Sequence, residues 1–425
     1  LVNKIFMKIS SIVNKKYVKN GLWLYALQFF NMVVPLVTLP YITRVLGASR
    51  YGTFSTAFNI VTYLQVIVEY GFGMSATRQI ALEGKKQLNR VFTTVIVSRM
   101  ILLLFCGVFS IIYVILNLSH RQLCLSFLIL LSCLLGYCIQ MNWLFQGMQE
   151  MRYISIVNIV GRTLSTVLVF CFVKTIDDLL LYCFLYAISP LVSGMCGFAI
   201  AHFKYECHFI RVSFIDVIEE LKSGFYVFTT QISSKIFGAI GITFLSIFVS
   251  SFSVGVFSAI QKIPAVMILL WTPISQVIYP IVSQKFQDGF GIGYSFAMKM
   301  RKGIIPVFVF LTIVIGIFGK PTINILYGSE YSDYFYWIYP LLAWVIISIE
   351  NNFWGIQILL GSGHDKEYGA VFQIGVIVTV FSNFVLAKFY GGLGAAIAPL
   401  ISELVLNVLL RVKVRRVYIV SKRME

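Results

Sequence analysis

Seven ionisable side chains interrupt the longest apolar stretches of this 425-residue chain: Glu69, Arg99, Arg162, Lys235, Lys262, Glu350 and Glu403. Near the middle of a bilayer each would cost on the order of 3 kcal/mol. Facing lipid together they would cost roughly 20 kcal/mol, more than the net stability of a typical protein. Most of them must therefore face water or one another. Arg162 and Lys235 lie near the centres of their apolar runs, too deep for an extended stem to bring the charge to an interface. Arg99 is closer to the end of its run, within snorkelling reach. Lys262 stands just before Pro264 and Pro273, a spacing that predicts a kinked helix.

The four bases outnumber the three acids, which leaves positive charge in a low-dielectric setting and favours an anionic ligand. Arg adds a planar fork that matches phosphate with two parallel hydrogen bonds. Arg162, Lys235, Lys262 and Arg99 are thus the candidate anion-binding residues. Glu350 and Glu403 sit near mid-depth and can either neutralise those cations or take up a coupling proton or Na⁺. Glu69, nearer an end and followed by Gly71 and Gly73, shares that candidacy or lies at the interface. Gln140, Asn142, Trp143 and Gln146 combine amides with a flat ring, a set suited to sugar hydroxyls and ring faces. Tyr331, Tyr334, Tyr336, Trp337 and Tyr339 form a second aromatic group, which reads as an interfacial belt.

The elements that must hold these groups are membrane spans. Hydrophobic residues make up 59% of the chain and charged residues 12%, far from soluble proportions. A hydrocarbon core of about 30 Å takes roughly 20 helical residues per crossing. Twelve runs have that length: Gly21–Ile42, Phe54–Ala76, Val91–Leu116, Leu123–Gln146, Tyr153–Val173, Leu179–Ala201, Gly224–Val249, Gly255–Ile281, Gly303–Phe318, Phe335–Leu360, Gly369–Phe389 and Gly391–Leu410. With the N-terminus in the cytoplasm, 24 of the 34 Lys and Arg face that side, six face outward and four lie inside spans. This bias predicts that both termini are cytoplasmic. The net charge of +17 follows from the topology and points to anionic lipid headgroups rather than nucleic acid.

Residues 1–20 alternate apolar and Lys positions at helical spacing, as in a basic amphipathic segment at the membrane surface. They lack the compact apolar core and cleavage site of a signal peptide. The longest inward-facing loop, residues 203–223, separates two halves, 21–202 and 224–412, ahead of a basic tail over 413–425. A faint repeat supports the division. Tyr51-Gly52-Thr53-Phe54-Ser55 opens the second span and Val254-Gly255-Val256-Phe257-Ser258 opens the eighth. Six spans per half make the repeats parallel, an arrangement that commonly encloses a central site.

Other chemistry is disfavoured. No GxxxxGK[ST] phosphate loop occurs, and Gly289, Gly291 and Gly293 follow no strand. The eight Cys include no CxxC and read as packing residues. His202, Cys207 and His208 share one short basic loop, more in keeping with solvated side chains than a metal site. No metal and no cofactor is expected. Outer loops are short, and clustered catalytic carboxylates are missing, which argues against an enzyme such as a membrane polysaccharide polymerase.

Several blocks in fixed order resemble one family. They are Pro35-Leu36-Val37-Thr38-Leu39-Pro40-Tyr41-Ile42-Thr43-Arg44-Val45-Leu46-Gly47, Tyr51-Gly52, Tyr70-Gly71-Phe72 and Ser75-Ala76-Thr77-Arg78. Further on come Trp143-Leu144-Phe145-Gln146-Gly147, Val173-Lys174 with Asp177-Asp178, Leu326-Tyr327-Gly328-Ser329-Glu330-Tyr331 and Gly394-Ala395-Ala396-Ile397-Ala398. The chain resembles the O-antigen-type polysaccharide flippases of the multidrug/oligosaccharidyl-lipid/polysaccharide exporter superfamily. The resemblance implies an all-α bacterial inner-membrane protein of twelve transmembrane helices, in two six-helix lobes around a central cavity. It implies a substrate, an undecaprenyl-pyrophosphate-linked oligosaccharide, turned over from the inner to the outer leaflet. Membrane lipids, a polysaccharide polymerase and chain-length proteins are its implied partners. By the same analogy Arg162 and Lys235, with Arg99 and Lys262, would hold pyrophosphate or acidic sugars. Relatives that flip peptidoglycan precursor use bases in their first span, where this chain has only Arg44 at the outer end. The rival within the fold is a multidrug/cation antiporter, which would want an acid-rich cavity.

Overall fold

The computed structural model describes residues 16–424. Of the basic amphipathic segment expected over 1–20, all but the last five residues lies outside the described residues. Those five open the first helix. Every regular element among the described residues is helical, as a chain of long apolar runs must be where no water is available to satisfy its backbone. In order they are α1 (Lys16–Glu69), α2 (Phe72–Glu83), α3 (Leu88–Leu116), α4 (Arg121–Cys138), α5 (Asn142–Gly147), α6 (Met151–Phe172) and α7 (Leu179–Tyr205). Then follow α8 (Phe214–Phe248), α9 (Ser251–Ile260), α10 (Lys262–Gln287), α11 (Phe290–Ile317), α12 (Gly319–Tyr327), α13 (Ser329–Ser332), α14 (Ile338–Asn352) and α15 (Asp365–Met424).

Among the described residues, ten helical stretches are long and apolar enough to cross a membrane, so this is a multi-pass membrane protein. Two of the ten, 19–82 and 365–419, are more than twice the length that one crossing requires. Each leaves the helical conformation at a glycine with positive φ, Gly47 (φ 68°) and Gly391 (φ 56°). Only glycine adopts such angles without strain. The connections expected between spans one and two, and eleven and twelve, are therefore breaks inside long helices.

Other expected spans differ in detail. The fourth divides into α4 and α5, with residues 139–141 between them. The eighth breaks at Gln261, between α9 and α10, three residues before Pro264. The helix is interrupted there in its hydrogen bonding, while Gln261 itself keeps helical φ and ψ (−63°, −17°), and Pro273 lies within the continuous α10. The ninth starts thirteen residues early, because α11 runs from Phe290 and carries Lys299, Arg301 and Lys302 on the helix. The tenth continues beyond α14 as a π-helical segment, Phe353–Leu360, a wide turn that recurs near functional groups.

The chain forms two compact units. The first comprises α1 up to Thr38 and Ala57–Lys235; the second comprises Leu39–Thr56 and everything from Ile236. In the first unit, small residues let backbones touch. A Cβ on Gly136 would lie 2.4 Å from the Pro190 backbone, and one on Gly161 would lie 2.5 Å from the Ser189 carbonyl oxygen. α4, α6 and α7 thus pack as close as transmembrane helices can. Beneath them Phe72, Phe92, Trp143 and Phe145 fill a buried cluster. A surface ion group fastens the loop before α6 to the end of α7: Glu150 accepts from Arg152 (3.1 Å) and Lys204 (2.8 Å).

The second unit contains the weak repeat as a physical contact. A Cβ on Gly52 would lie 1.7 Å from the Ser251 carbonyl oxygen; one on Gly255 would lie 1.8 Å from that of Ala48. The two segments meet about their glycines in a reciprocal way. Nearby, Glu330 accepts from the Ala48 N–H (3.2 Å), just after the break at Gly47, and caps the helix that restarts there. Arg44 donates to the carbonyls of Asn324 and Ile325. Residues 324–330 thereby hold both sides of the break at Gly47.

Candidate functional site

The first unit holds a cavity of about 190 Å³, walled by α1, α4, α6 and α7 and lined by Asn31, Tyr137, Gln140, Asn158, Arg162 and Tyr186 among others. Arg162 donates to Asn31 Oδ1 at 2.9 Å. Gln140 donates to Asn158 Oδ1 at 3.1 Å, and Asn158 donates to the Ile154 carbonyl at 2.7 Å. No carboxylate lines this cavity, and among the described residues none pairs with Arg162. One unneutralised guanidinium beside amides and phenols suits an anionic or hydroxyl-rich ligand.

The other predicted bases are placed differently. Arg99 is buried, and its Nη1 donates to the carbonyls of Tyr137 (3.2 Å), Cys138 (3.3 Å) and Gln140 (2.7 Å). These carbonyls end α4, where a cation meets the negative end of the helix dipole. Arg99 thus holds the break that aims Gln140 into the cavity, and its own charge is spent on backbone. Lys235 is half-buried near the end of the first unit and, like Arg99, lies within the field of Glu69. Glu69 itself accepts from Gln65 Nε2 at 3.0 Å. Lys262 is exposed and begins α10 beside the interruption. The sugar-contact set is also divided. Gln140 lines the cavity, and Asn142 lies next to it, at 3.5 Å from Asn158. Gln146 is exposed, whereas the Trp143 ring is enclosed in the core and leaves no face open to a ligand.

The second unit separates the two deep acids. Glu350 is buried and receives a two-pronged hydrogen bond from Arg301, Nε at 2.6 Å and Nη2 at 2.5 Å. Trp354 adds an indole N–H at 3.2 Å. Glu403 is equally buried but meets amides: Asn351 Nδ2 donates to Oε2 at 2.5 Å and to the Glu403 carbonyl at 2.8 Å. Asn407 in turn donates to Asn351 Oδ1 at 2.7 Å. Glu403 lines a second cavity of about 180 Å³ together with Ser348, Asn352 and Tyr368, and no base pairs with it among the described residues. In the aromatic group expected as a belt, Tyr331 and Trp337 are buried while Tyr336 and Tyr339 are exposed. His202 and His208 turn to the Cys207 carbonyl and to Asn89, respectively.

Residues 17–286 match the family described as polysaccharide biosynthesis protein. The chain belongs to that family. Two relatives carry the name "Putative O-antigen transporter". The one from Escherichia coli (strain K12) is 26% identical over 93% of this chain and 96% of its own length. The one from Shigella dysenteriae is 26% identical over 91% and 97%. Among solved structures, a lipid II flippase MurJ in an inward closed conformation matches with a TM-score of 0.73 at 13% identity, over 94% of this chain and 87% of that one. An inward-facing multidrug resistance MATE transporter of the MOP superfamily matches with 0.70 at 15% identity, over 92% and 96%. The fold is the one that these membrane transporters share.

In this polysaccharide biosynthesis protein, several site residues were invisible to a search for charge. Asn31, Asn158, Tyr137 and Tyr186 line the Arg162 cavity but are neutral. The available signal was amides inside apolar runs, Asn31 at mid-span and Asn158 nearer an end, where apolar residues are the rule. Arg301 was assigned to a loop because α11 begins earlier than its apolar part.

Proposed function

We propose that this protein flips an undecaprenyl-pyrophosphate-linked oligosaccharide repeat unit from the inner to the outer leaflet of a bacterial cell membrane, for surface polysaccharide synthesis. It does so as a twelve-crossing protein of two six-helix halves with both termini cytoplasmic; the two long helices broken at Gly47 and Gly391 each cross twice. Alternating access moves the sugar head while the lipid tail stays in the bilayer. The observation that carries this reading is an Arg162 charge left unneutralised in a polar cavity with no acid in its lining. Such a site attracts phosphate or acidic sugar and repels the cationic drugs an antiporter would bind. Gln140, Asn142 and Asn158 supply hydroxyl partners. Lys235 adds positive charge, and Arg99 supports the site through α4. Glu403 is the acid suited to ion coupling, since it lines a cavity without a paired base among the described residues, whereas Glu350 already has its counter-ion.

The test is complementation of a flippase-deleted strain. Arg162→Gln combined with Lys235→Gln should abolish surface polysaccharide, with protein levels in the membrane retained and the complete lipid-linked unit accumulating on the inner leaflet. Normal glycan from the double variant would remove both residues from the mechanism. An exported but unpolymerised unit would instead favour a polymerase.

A further inference from the structure

Arg411, on α15, stands 3.9 Å from the buried Glu350 carboxylate, too far for a hydrogen bond. Glu350 is already neutralised by the two-pronged bond from Arg301. The Arg411 side chain is 50% exposed, and among the described residues none of its N–H groups has a hydrogen-bond partner. It is held in place all the same. Its guanidinium lies 5.3 Å from the centre of the Trp354 ring, and that of Arg301 lies 5.7 Å from the same ring. Trp354 is in turn oriented by its N–H bond to Glu350. Three charges and one ring thus form a fixed group with one positive charge in excess, whose donors are unspent and open to solvent. Arg415, one helical turn further along α15, adds a second exposed base on the same face.

We propose that Arg411, braced by Trp354 and the Arg301–Glu350 pair, binds the phosphate of a lipid headgroup at the inner surface of the membrane. A planar guanidinium with free parallel donors is the side chain that chelates phosphate oxygens. The depth is appropriate. Arg411 directly follows the apolar run ending at Leu410, and Arg301 precedes the one beginning at Gly303. Under the topology proposed above, on which this placement rests, both are cytoplasmic ends, level with headgroup phosphates. The source is either the pyrophosphate of the polyprenyl carrier or an anionic phospholipid, and the two share this chemistry.

The full chain is reconstituted in nanodiscs and bound lipid is counted by native mass spectrometry. The probes are farnesyl pyrophosphate in phosphatidylcholine discs and, separately, phosphatidylglycerol added in steps. Arg411→Gln should bind at least one probe about tenfold more weakly than wild type. Trp354→Leu, which unseats the guanidinium, should act in the same direction. Loss confined to farnesyl pyrophosphate names the carrier as the source; loss confined to phosphatidylglycerol names the bulk lipid. Unchanged binding of both probes to an Arg411→Gln protein that melts like wild type would overturn the proposal. Because the readout is binding, it stands or falls independently of whether the Arg162 variants lose flipping.

Discussion

Adding one methyl group at Gly255 should destabilise the protein out of proportion to its size. The alanine Cβ would sit 1.8 Å from the Ala48 carbonyl oxygen and 2.8 Å from its carbon, both backbone atoms that no rotamer change can move. Ordinary contact needs about 3.5 Å, so the two segments must part by roughly 1.5 Å, and the contacts around the crossing loosen with them. Overpacking of this kind costs about 1–3 kcal/mol. Gly52→Ala meets the Ser251 carbonyl oxygen at 1.7 Å and should cost a similar amount. Once one methyl has opened the crossing, the second costs less, so the double variant should fall short of the sum. Gly107→Ala is the control, because nothing lies within 4 Å of its added Cβ. Thermal unfolding of the purified protein in one detergent reads all four variants, with the Gly255→Ala midpoint several degrees below that of Gly107→Ala. Equal midpoints for Gly255→Ala and the control would refute the close approach of residues 48–52 to 251–255.

Three further outcomes are expected. Arg301→Gln leaves the Glu350 carboxylate buried beside a single distant base and should cost about 3–5 kcal/mol, whereas Arg301→Gln with Glu350→Gln should regain most of it, read from unfolding midpoints. If Glu403 couples transport to an ion, Glu403→Asp should retain more flipping in proteoliposomes under an imposed proton or Na⁺ gradient than Glu403→Gln; equal activity would exclude that role. At Glu150, partial burial pushes the carboxyl up, but the hydrogen bonds from Lys204 and Arg152 outweigh it and hold the group below its ordinary 4.5. Because the folded value is the lower one, this group's stabilisation is complete above 4.5 and disappears as pH falls through the folded value. Hydrogen-exchange protection over residues 148–153, taken relative to the intrinsic exchange rate at each pH, should therefore fall on acidification in wild type and change less in Glu150→Gln.

The charged residues show how far a linear reading reaches. Arg162 was recognisable because mid-span burial of a charge is expensive wherever the helix packs, and the structure gives it a cavity. Arg99 was just as conspicuous, yet it serves the end of α4. Nothing in its neighbours reveals that a helix across the fold stops opposite it and turns three carbonyls toward it. Glu350 and Glu403 look alike in sequence, both acids in apolar runs, and they diverge only because α11 brings Arg301 to one while Asn351 faces the other.

Composition and basic-residue bias alone settle that this chain is a helical, multi-pass membrane protein, since the bilayer demands apolar length and internal hydrogen bonding of any sequence that crosses it. The order of its blocks settles the family likeness. Tertiary structure decides which bases are free, which acid lacks a counter-ion, and that Gly52 and Gly255 meet. Those outcomes depend on distances across helices far apart in sequence, and an interaction falling off within a few ångströms leaves no trace in spacing along the chain.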